Sequence, residues 1–172
     1  MNLQIELMSL NNVQDIYEFE VENRAYFERN LPSRGKEYYI PEKFNQIMQS
    51  LIDEQSRGEC FMYVIRDAAN RMVGRVNFSS VMNDETKTAE LGYRIGECAI
   101  GKGIATEAVR LALKLGSDNH SLGKITAGTS SDNVASQKVL EKNGFSLVEK
   151  IKNYMKINEE WVDSFNYIRF LS

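Results

Sequence analysis

The glycine loop around Gly101 and Gly103 contains the residues best suited to chemistry in this chain. It follows a strand-like stretch, and apolar residues repeat at helical spacing directly after it. Glycine lets the backbone bring its N–H groups close to an anion, and the first amides of the following helix have no partner within it. With the helix dipole, these amides favour a phosphate or pyrophosphate. An ordinary strand-to-helix turn would use the same glycines, so the loop alone leaves both interpretations open.

A nucleotide triphosphate is a poorer match for this loop. Gly96, Gly101 and Lys102 fit most of the pattern G-x-x-x-x-G-K-[ST]. However, Gly103 stands where a Ser or Thr hydroxyl must bind Mg²⁺, and Thr106 comes three residues too late. No apolar strand ends in an aspartate that would serve as the second metal ligand. The sequence therefore favours a phosphate-bearing carrier that is bound without a metal.

A second motif follows the next predicted strand and reads Asn133-x-x-Ser136, then V-L-E-K-N-G-F. Together with L-G-Y-R-I at 91–95 and G-K-G-I-A-T-E-A at 101–108, it resembles the GNAT acetyltransferases. Within this superfamily the resemblance is to the RimJ/RimL type, which acetylates the N-termini of ribosomal proteins. It is strongest over residues 72–170 and is compatible with the whole chain.

The resemblance implies an α/β (α+β) fold, with residues 1–172 as a single GNAT domain. The central sheet would be mixed and mostly antiparallel, with about seven strands flanked by helices. Its fourth and fifth strands would splay apart and hold acetyl-CoA, the cosubstrate, in the gap. The residues that the resemblance assigns to cofactor binding are Tyr93, Arg94, Ile95, Ile100, Gly101, Lys102, Gly103, Ile104, Ala105, Thr106, Asn133 and Ser136.

The same resemblance implies that an amine attacks the acetyl thioester directly in a ternary complex. Ser136 would donate a proton to the leaving thiolate, and Asn133 would hold the pantetheine arm or the loop. Asn133 could also simply cap the helix, and both roles are compatible. Met155 stands where this branch has a glutamate as general base. We predict that Glu90, on the strand before the glycine loop, replaces it; a solvent-facing strand carboxylate is the alternative.

Three functions are compatible with these motifs. An α-amine with a pKa of about 7.7–8.0 is partly neutral at pH 7, unlike a lysine amine at about 10.4. This favours an acceptor at the N-terminus of a peptide or protein, such as a ribosomal protein. A small amine (a polyamine, an amino acid or an antibiotic) is the alternative acceptor. A non-catalytic CoA-binding module is the alternative class, because Met155 replaces the base and Ile100 replaces the Gln or Arg of the pyrophosphate signature.

The first 28 residues are acidic, with six carboxylates against the single base Arg24. A solvated helix face is one interpretation of this pattern. In the resembled family the region flanks the acceptor site, so its field could instead attract a cationic amine or a basic peptide. Both interpretations leave the acidic side chains exposed.

Other reactive or aromatic residues are predicted to be structural. His120, the only histidine, is expected at the surface at the end of a helix, and Cys98 is expected to pack. One histidine gives no metal site. The aromatic and acidic residues that we assign to the core, to structural roles or to the walls of the acceptor site are Tyr38, Tyr39, Tyr63, Tyr154, Trp161 and Asp163.

The spacing of apolar residues predicts the elements that must position these motifs. Alternation predicts a first strand at 3–7, a meander of three strands and, after the glycine loop, a strand-helix-strand crossover that ends in a hairpin. The predicted strands are 61–66, 73–79, 87–95, 124–129, 145–157 and 161–171, and the predicted helical regions are 13–29, 41–58, 103–116 and 133–143.

Composition excludes several classes of protein. A net charge of −3 over 172 residues argues against a nucleic-acid surface, which needs clustered Lys and Arg. The chain has two cysteines, no secretory signal and no long apolar run. We therefore expect a cytoplasmic protein, a monomer or homodimer, with neither nucleic-acid nor membrane partners.

Overall fold

Seven strands form one sheet in the computed structural model, which describes all 172 residues. In chain order they are β1 (Gln4–Leu7), β2 (Phe61–Arg66), β3 (Met72–Asn83), β4 (Lys87–Ile95), β5 (Lys124–Ser130), β6 (Ser146–Ile157) and β7 (Glu160–Phe170). Their order across the sheet is β1-β2-β3-β4-β5-β7-β6, and every neighbouring pair is antiparallel except β4 with β5. The predicted mixed, mostly antiparallel sheet is confirmed.

Five α-helices accompany the sheet. They are α1 (Val13–Glu22), α2 (Arg24–Asn30), α3 (Pro41–Ser56), α4 (Ile104–His120) and α5 (Val134–Lys142). Single 3-10 turns lie at Leu10–Asn12, Lys36–Tyr39 and Glu97–Ala99. Each predicted element is present, with its bounds shifted by a few residues. None of the helices combines the length and apolarity needed to cross a lipid bilayer.

Helix α4 extends about one turn beyond the predicted end at Gly116. A Cβ atom at Gly116 would lie 3.1 Å from the Phe78 ring and 3.2 Å from Leu122. The glycine therefore allows the helix to pack closely on β3 and does not end it. The helix ends instead at Ser121, which adopts a left-handed conformation with a φ of 57°.

Strand β2 is buried on both faces and separates two hydrophobic clusters. Its residues Phe61, Tyr63 and Ile65 belong to a cluster of 21 buried residues that includes α4. The alternate residues Met62 and Val64 belong to a cluster of eight that includes α1 and α3. The sheet thus has one face under α4 and the other under α1 and α3.

The predicted core placement of the aromatic residues holds for Tyr38 and Tyr63, which are buried in the two clusters. It is wrong for Trp161, which is exposed. His120 is at the end of α4 as predicted, but it is half-buried: its ring stacks on Phe61 at 3.5 Å, and Nε2 lies 2.5 Å from the Tyr63 hydroxyl. Burial, with a smaller effect of a nearby lysine, lowers the pKa of His120. His120 therefore packs as a neutral aromatic ring.

The parallel pair β4–β5 is short. Thr88, Ala89 and Glu90 of β4 pair with residues 124–126 of β5, and no further pairs follow. On its other edge β5 stays paired with β7 up to Ser130. The sheet therefore opens between β4 and β5 towards the carboxyl ends of both strands, as expected for the splayed fourth and fifth strands.

Candidate functional site

A cleft of about 1120 Å³ lies where β4 and β5 separate. Its walls include residues 91–95 of β4, residues 127–130 of β5, the glycine loop and the start of α5. Beyond Glu90, β4 has no strand on the side that faces β5. Backbone N–H and C=O groups along this edge are therefore available to a bound molecule, which can pair with them as a strand would.

The glycine loop presents the start of α4 to this cleft. Gly101 and Gly103 have φ angles of 72° and 75°, a conformation that favours glycine. Gly103 is the N-cap of α4, and no side chain caps the helix. The amides of the first turn can therefore bind an anion. Lys102 does not line the cleft; its Nζ donates a hydrogen bond to the carbonyl oxygen of Cys98 at 2.9 Å.

Tyr93 and Ser136 meet across the gap. The Tyr93 hydroxyl lies 2.7 Å from Ser136 Oγ, so a hydrogen bond joins β4 to α5. The Asn133 side chain caps α5 by accepting a hydrogen bond from the backbone N–H of Ser136 at 3.1 Å. Burial raises the pKa of the Tyr93 phenol, and the hydrogen bond with Ser136 offsets part of this effect. The phenol therefore stays protonated at neutral pH and can donate to Ser136.

The cleft brings together the predicted cofactor-binding residues from three parts of the sequence. Apart from Lys102, all of them line it: Tyr93, Arg94, Ile95, Ile100, Gly101, Gly103, Ile104, Ala105, Thr106, Asn133 and Ser136. Met155, which stands in place of the family's base, also lines the cleft. No cluster of three His, Cys, Asp or Glu side chains arranged for a metal ion is present.

Glu90 does not line the cleft. It is exposed and pairs in register with Thr126, in the short region where β4 and β5 are still joined. Its side chain is on the same face of β4 as Gly92, which does line the cleft, with open space where a Cβ would be. The geometry therefore leaves room for water between the carboxylate and the cleft but provides no direct contact.

A buried ion cluster underlies the cleft on the face covered by α1 and α3. Glu20, with a side chain that is 0 % exposed, lies 2.7 Å from Arg75, 3.6 Å from Arg34 and 3.9 Å from Arg94. The prediction that the acidic side chains of the first 28 residues are exposed is wrong for Glu20, because α1 turns this carboxylate inward to neutralise arginines. We call Arg34, Arg75 and Arg94 the arginine wall; all three line the cleft.

Sequence reasoning missed several polar residues of the cleft. Asn77 of β3 lines it, and its Oδ1 is buried without a hydrogen-bond partner. Lys138 and Lys142 of α5 also line it. The two lysines are four residues apart and so share a helix face, which the sequence could have indicated. Asn77 gave no comparable signal, because its strand reads as an ordinary buried strand.

Asp163 has the structural role that the sequence predicted for it. Its Oδ1 accepts a hydrogen bond from the backbone N–H of Asn153 at 2.9 Å. Asn153 has a φ of 48° and lies in the stretch of β6 where the register with β7 shifts. The carboxylate therefore stabilises an irregular strand, and Tyr154 beside it is exposed.

The two cysteines should differ sharply in reactivity. Cys98 is exposed, so the predicted packing role is wrong; Cys60 is buried, and burial raises the pKa of its thiol to about 11. Because the thiolate is the reactive form, we expect iodoacetamide at pH 8 to label Cys98 and not Cys60. Mass spectrometry of the native protein measures this, with the denatured protein labelled at both sites as control. Labelling of Cys60 in the native state would contradict the structure.

The sequence matches a family model described as acetyltransferase (GNAT) domain over residues 3–146. A probable N-acetyltransferase, YjcK of Bacillus subtilis (strain 168), is 28% identical over 162 residues, which cover 94% of this chain and 90% of that protein. The [ribosomal protein uS5]-alanine N-acetyltransferase of Escherichia coli (strain K12) is 24% identical over 162 residues, which cover 94% of this chain and 84% of that protein.

Comparison with solved structures agrees. RimL, a ribosomal L7/L12 alpha-N-protein acetyltransferase solved in complex with coenzyme A, superposes with a TM-score of 0.89. The alignment covers 99% of this chain and 95% of that one, at 22% identity. At this identity the similarity establishes the fold.

Proposed function

Because the chain belongs to the GNAT acetyltransferase family, we propose that it transfers an acetyl group from acetyl-CoA to the N-terminal α-amine of a protein or peptide. The observation that carries the proposal is the Tyr93–Ser136 hydrogen bond across a cleft whose other end is an uncapped helix. The names of two relatives support the acceptor: one acts on a ribosomal-protein alanine, and the other is an alpha-N-protein acetyltransferase.

The residues present fit a CoA-type molecule. The uncapped start of α4 suits its pyrophosphate, and the open edge of β4 suits the amide groups of its pantetheine arm. Lys138 and Lys142 add positive charge near the phosphates. Ile100 provides a backbone amide in the loop without the side-chain contact of the family signature. Acetyl-CoA would supply the acetyl group as a thioester, which an amine can attack without a covalent enzyme intermediate.

We propose that Ser136 donates the proton that the leaving thiolate takes up. Its hydroxyl stands at the start of α5, where the Asn133 cap fixes the first turn. Tyr93, protonated and 2.7 Å away, can pass its own proton to Ser136, and its phenolate then regains a proton from water in the open cleft. The proton that the acceptor amine releases balances the one that the thiolate gains. The pair thus provides a proton path from the buried phenol to the mouth of the gap.

The base requirement is modest if the acceptor is an α-amine. Such an amine is partly neutral at pH 7, so its residual proton can leave through water. We propose that Glu90 accepts it over the open surface at Gly92, since both lie on the same face of β4. A lysine acceptor would need a base in direct contact, and we expect it to react poorly.

A titration followed by a transfer assay tests the proposal. We expect saturable calorimetric binding of acetyl-CoA and free CoA, no binding of ATP with Mg²⁺, and acetyl transfer to a peptide with a free N-terminus. The same peptide with a blocked N-terminus is the control. Binding of ATP alone would favour a nucleotide site, and absence of all binding would contradict the transferase proposal.

The non-catalytic CoA-binding module is the second candidate, and Met155 at the cleft is the observation that favours it. It shares the binding result and differs in the assay: acetyl-CoA binds, yet no peptide or small amine is acetylated. Transfer to a single acceptor would exclude this candidate.

A further inference from the structure

The arginine wall carries more positive charge than the protein neutralises. Arg34, Arg75 and Arg94 share one carboxylate, that of Glu20. Arg75 donates a hydrogen bond to Glu20 Oε1 at 2.7 Å, and the other carboxylate oxygen, Oε2, is buried with no hydrogen-bond partner. Three guanidiniums around one carboxylate leave an excess of two positive charges at low exposure, where charge is poorly screened.

Arg94 is the least satisfied member of the wall. Its side chain is 17% exposed and lines the cleft, and its one carboxylate neighbour is Glu20 at 3.9 Å. It stacks over the Phe27 ring at 5.0 Å but forms no hydrogen bond. Burial lowers the pKa of the guanidinium, and the neighbouring Arg34 lowers it further. Guanidinium donors so placed favour a planar anion such as a carboxylate.

The other charges on this side of the cleft do not cancel the excess. Arg29, at the rim, is paired with Glu97 at 2.6 Å. Glu160, from the β6–β7 turn, also lines the cleft and is exposed. An exposed carboxylate has little effect on buried guanidiniums, because water screens it.

Asn77 provides a second unpartnered group close to the wall. Its buried Oδ1 accepts no hydrogen bond, although buried carbonyl oxygens in proteins are almost always paired. Asn77 pairs with Gly92 and Arg75 pairs with Arg94, so the two pairs are neighbours on the same face of β3 and β4. Two residues along an antiparallel strand separate positions by about 7 Å. The face therefore presents an anion site and, at the next pair along the same face, an acceptor for an N–H group.

On these grounds, and resting on the proposed function, we propose that the acceptor carries a carboxylate close to its reacting amine. The carboxylate would bind Arg94 and Arg34, and the amine would donate a hydrogen bond to Asn77 Oδ1. A peptide whose second residue is Asp fits, since two extended residues span about 7 Å. A polyamine does not fit, because the arginine wall repels it. The acidic N-terminal region therefore does not attract a cationic acceptor here: its buried member, Glu20, orders arginines that select an acidic one.

Matched peptides test the inference on the unmodified enzyme. Three short peptides that share a free N-terminal alanine and differ in residue 2, as Asp, Asn or Lys, are compared by kcat/KM at saturating acetyl-CoA. We expect Asp to exceed Asn by about tenfold, as for a charge-assisted hydrogen bond, and Lys to be poorest. Free aspartate and spermidine are tested as further acceptors. If aspartate reacts faster than the peptides, the acceptor still carries a carboxylate but is a free amino acid.

Substitutions in the arginine wall and at Asn77 test which residues recognise the acceptor. Arg94→Gln and Arg34→Gln should each bring the Asp/Asn ratio towards one, whereas Arg71→Gln, which removes an exposed arginine in the β2–β3 turn, should leave it unchanged. Asn77→Leu should raise KM for all three peptides and keep the ratio. Equal rates for Asp and Asn peptides, or a preference for Lys, would overturn the inference and leave the proposed function standing. Failure of every peptide would instead contradict the proposed function.

Discussion

Replacing Ser136 by alanine is expected to lower kcat by about 100-fold or more, the usual loss for a general acid. The Kd for acetyl-CoA should stay within about threefold, because a single neutral hydrogen bond contributes little to net binding. The backbone N–H of residue 136 keeps its hydrogen bond to Asn133, so the substitution leaves the helix cap intact. Single-turnover kinetics and calorimetry measure the two quantities separately.

Two further variants sharpen this result. Tyr93→Phe keeps the ring and removes only the hydroxyl that meets Ser136 at 2.7 Å, so kcat should fall by less than in Ser136→Ala. Combining both changes should cost no more than Ser136→Ala alone, because the two groups act on one proton. Ser131→Ala, a neighbouring serine outside the cleft lining, is the matched control. An unchanged kcat in Ser136→Ala would remove this serine from the mechanism.

Replacing Glu20 by alanine is expected to cause a large loss of folding stability. It would leave three guanidiniums clustered without a counter-charge, and breaking a buried ion pair costs about 3–5 kcal/mol. For a chain of this length we expect the Tm to fall by roughly 10 °C. Urea unfolding gives the free energy, and differential scanning calorimetry gives the Tm.

The matched control is Glu22→Ala, two residues further along α1, where the carboxylate is exposed. It should change the free energy of unfolding by less than about 0.5 kcal/mol. Adding Arg94→Gln to Glu20→Ala should recover part of the loss, because it removes one of the uncompensated charges. Equal stability of the two single variants would mean that the arginines find other partners and that the cluster is not held by Glu20.

Much of this architecture could be predicted from local patterns. Alternation and helical spacing predicted the strands and helices. The glycine loop and the Asn133–Ser136 motif could be recognised because each is local in sequence, and both lie at the cleft. The prediction that α4 ends at Gly116 is wrong, because this glycine allows close packing against Phe78, which is distant in the sequence. The sequence carries no local mark of such close approach.

The proposed acceptor side of the cleft was harder to predict than the proposed cofactor side, for a physical reason. Glu20 and Arg75 are 55 residues apart, and nothing in the spacing of either predicts that they meet in the core. An acidic residue on an amphipathic helix is normally solvated, and only the pairing with β3 and β4 makes its burial favourable. Likewise the Tyr93–Ser136 contact depends on how far two strands diverge. Loops and helices that bind a cofactor have a sequence signature, whereas a wall assembled from three elements does not.

The pleat of β4 separates the two roles that we propose for consecutive residues. Tyr93 contacts Ser136 and Arg94 belongs to the arginine wall, because neighbouring side chains leave a strand on opposite sides. Substitutions on one side can therefore change which acceptor is chosen while the other side keeps its chemistry. In evolutionary terms, acceptor choice in such a strand can diversify residue by residue. The hydrogen bonds between β3 and β4 must keep their register, however, because a slip of one residue would move each side chain to the opposite face of the sheet.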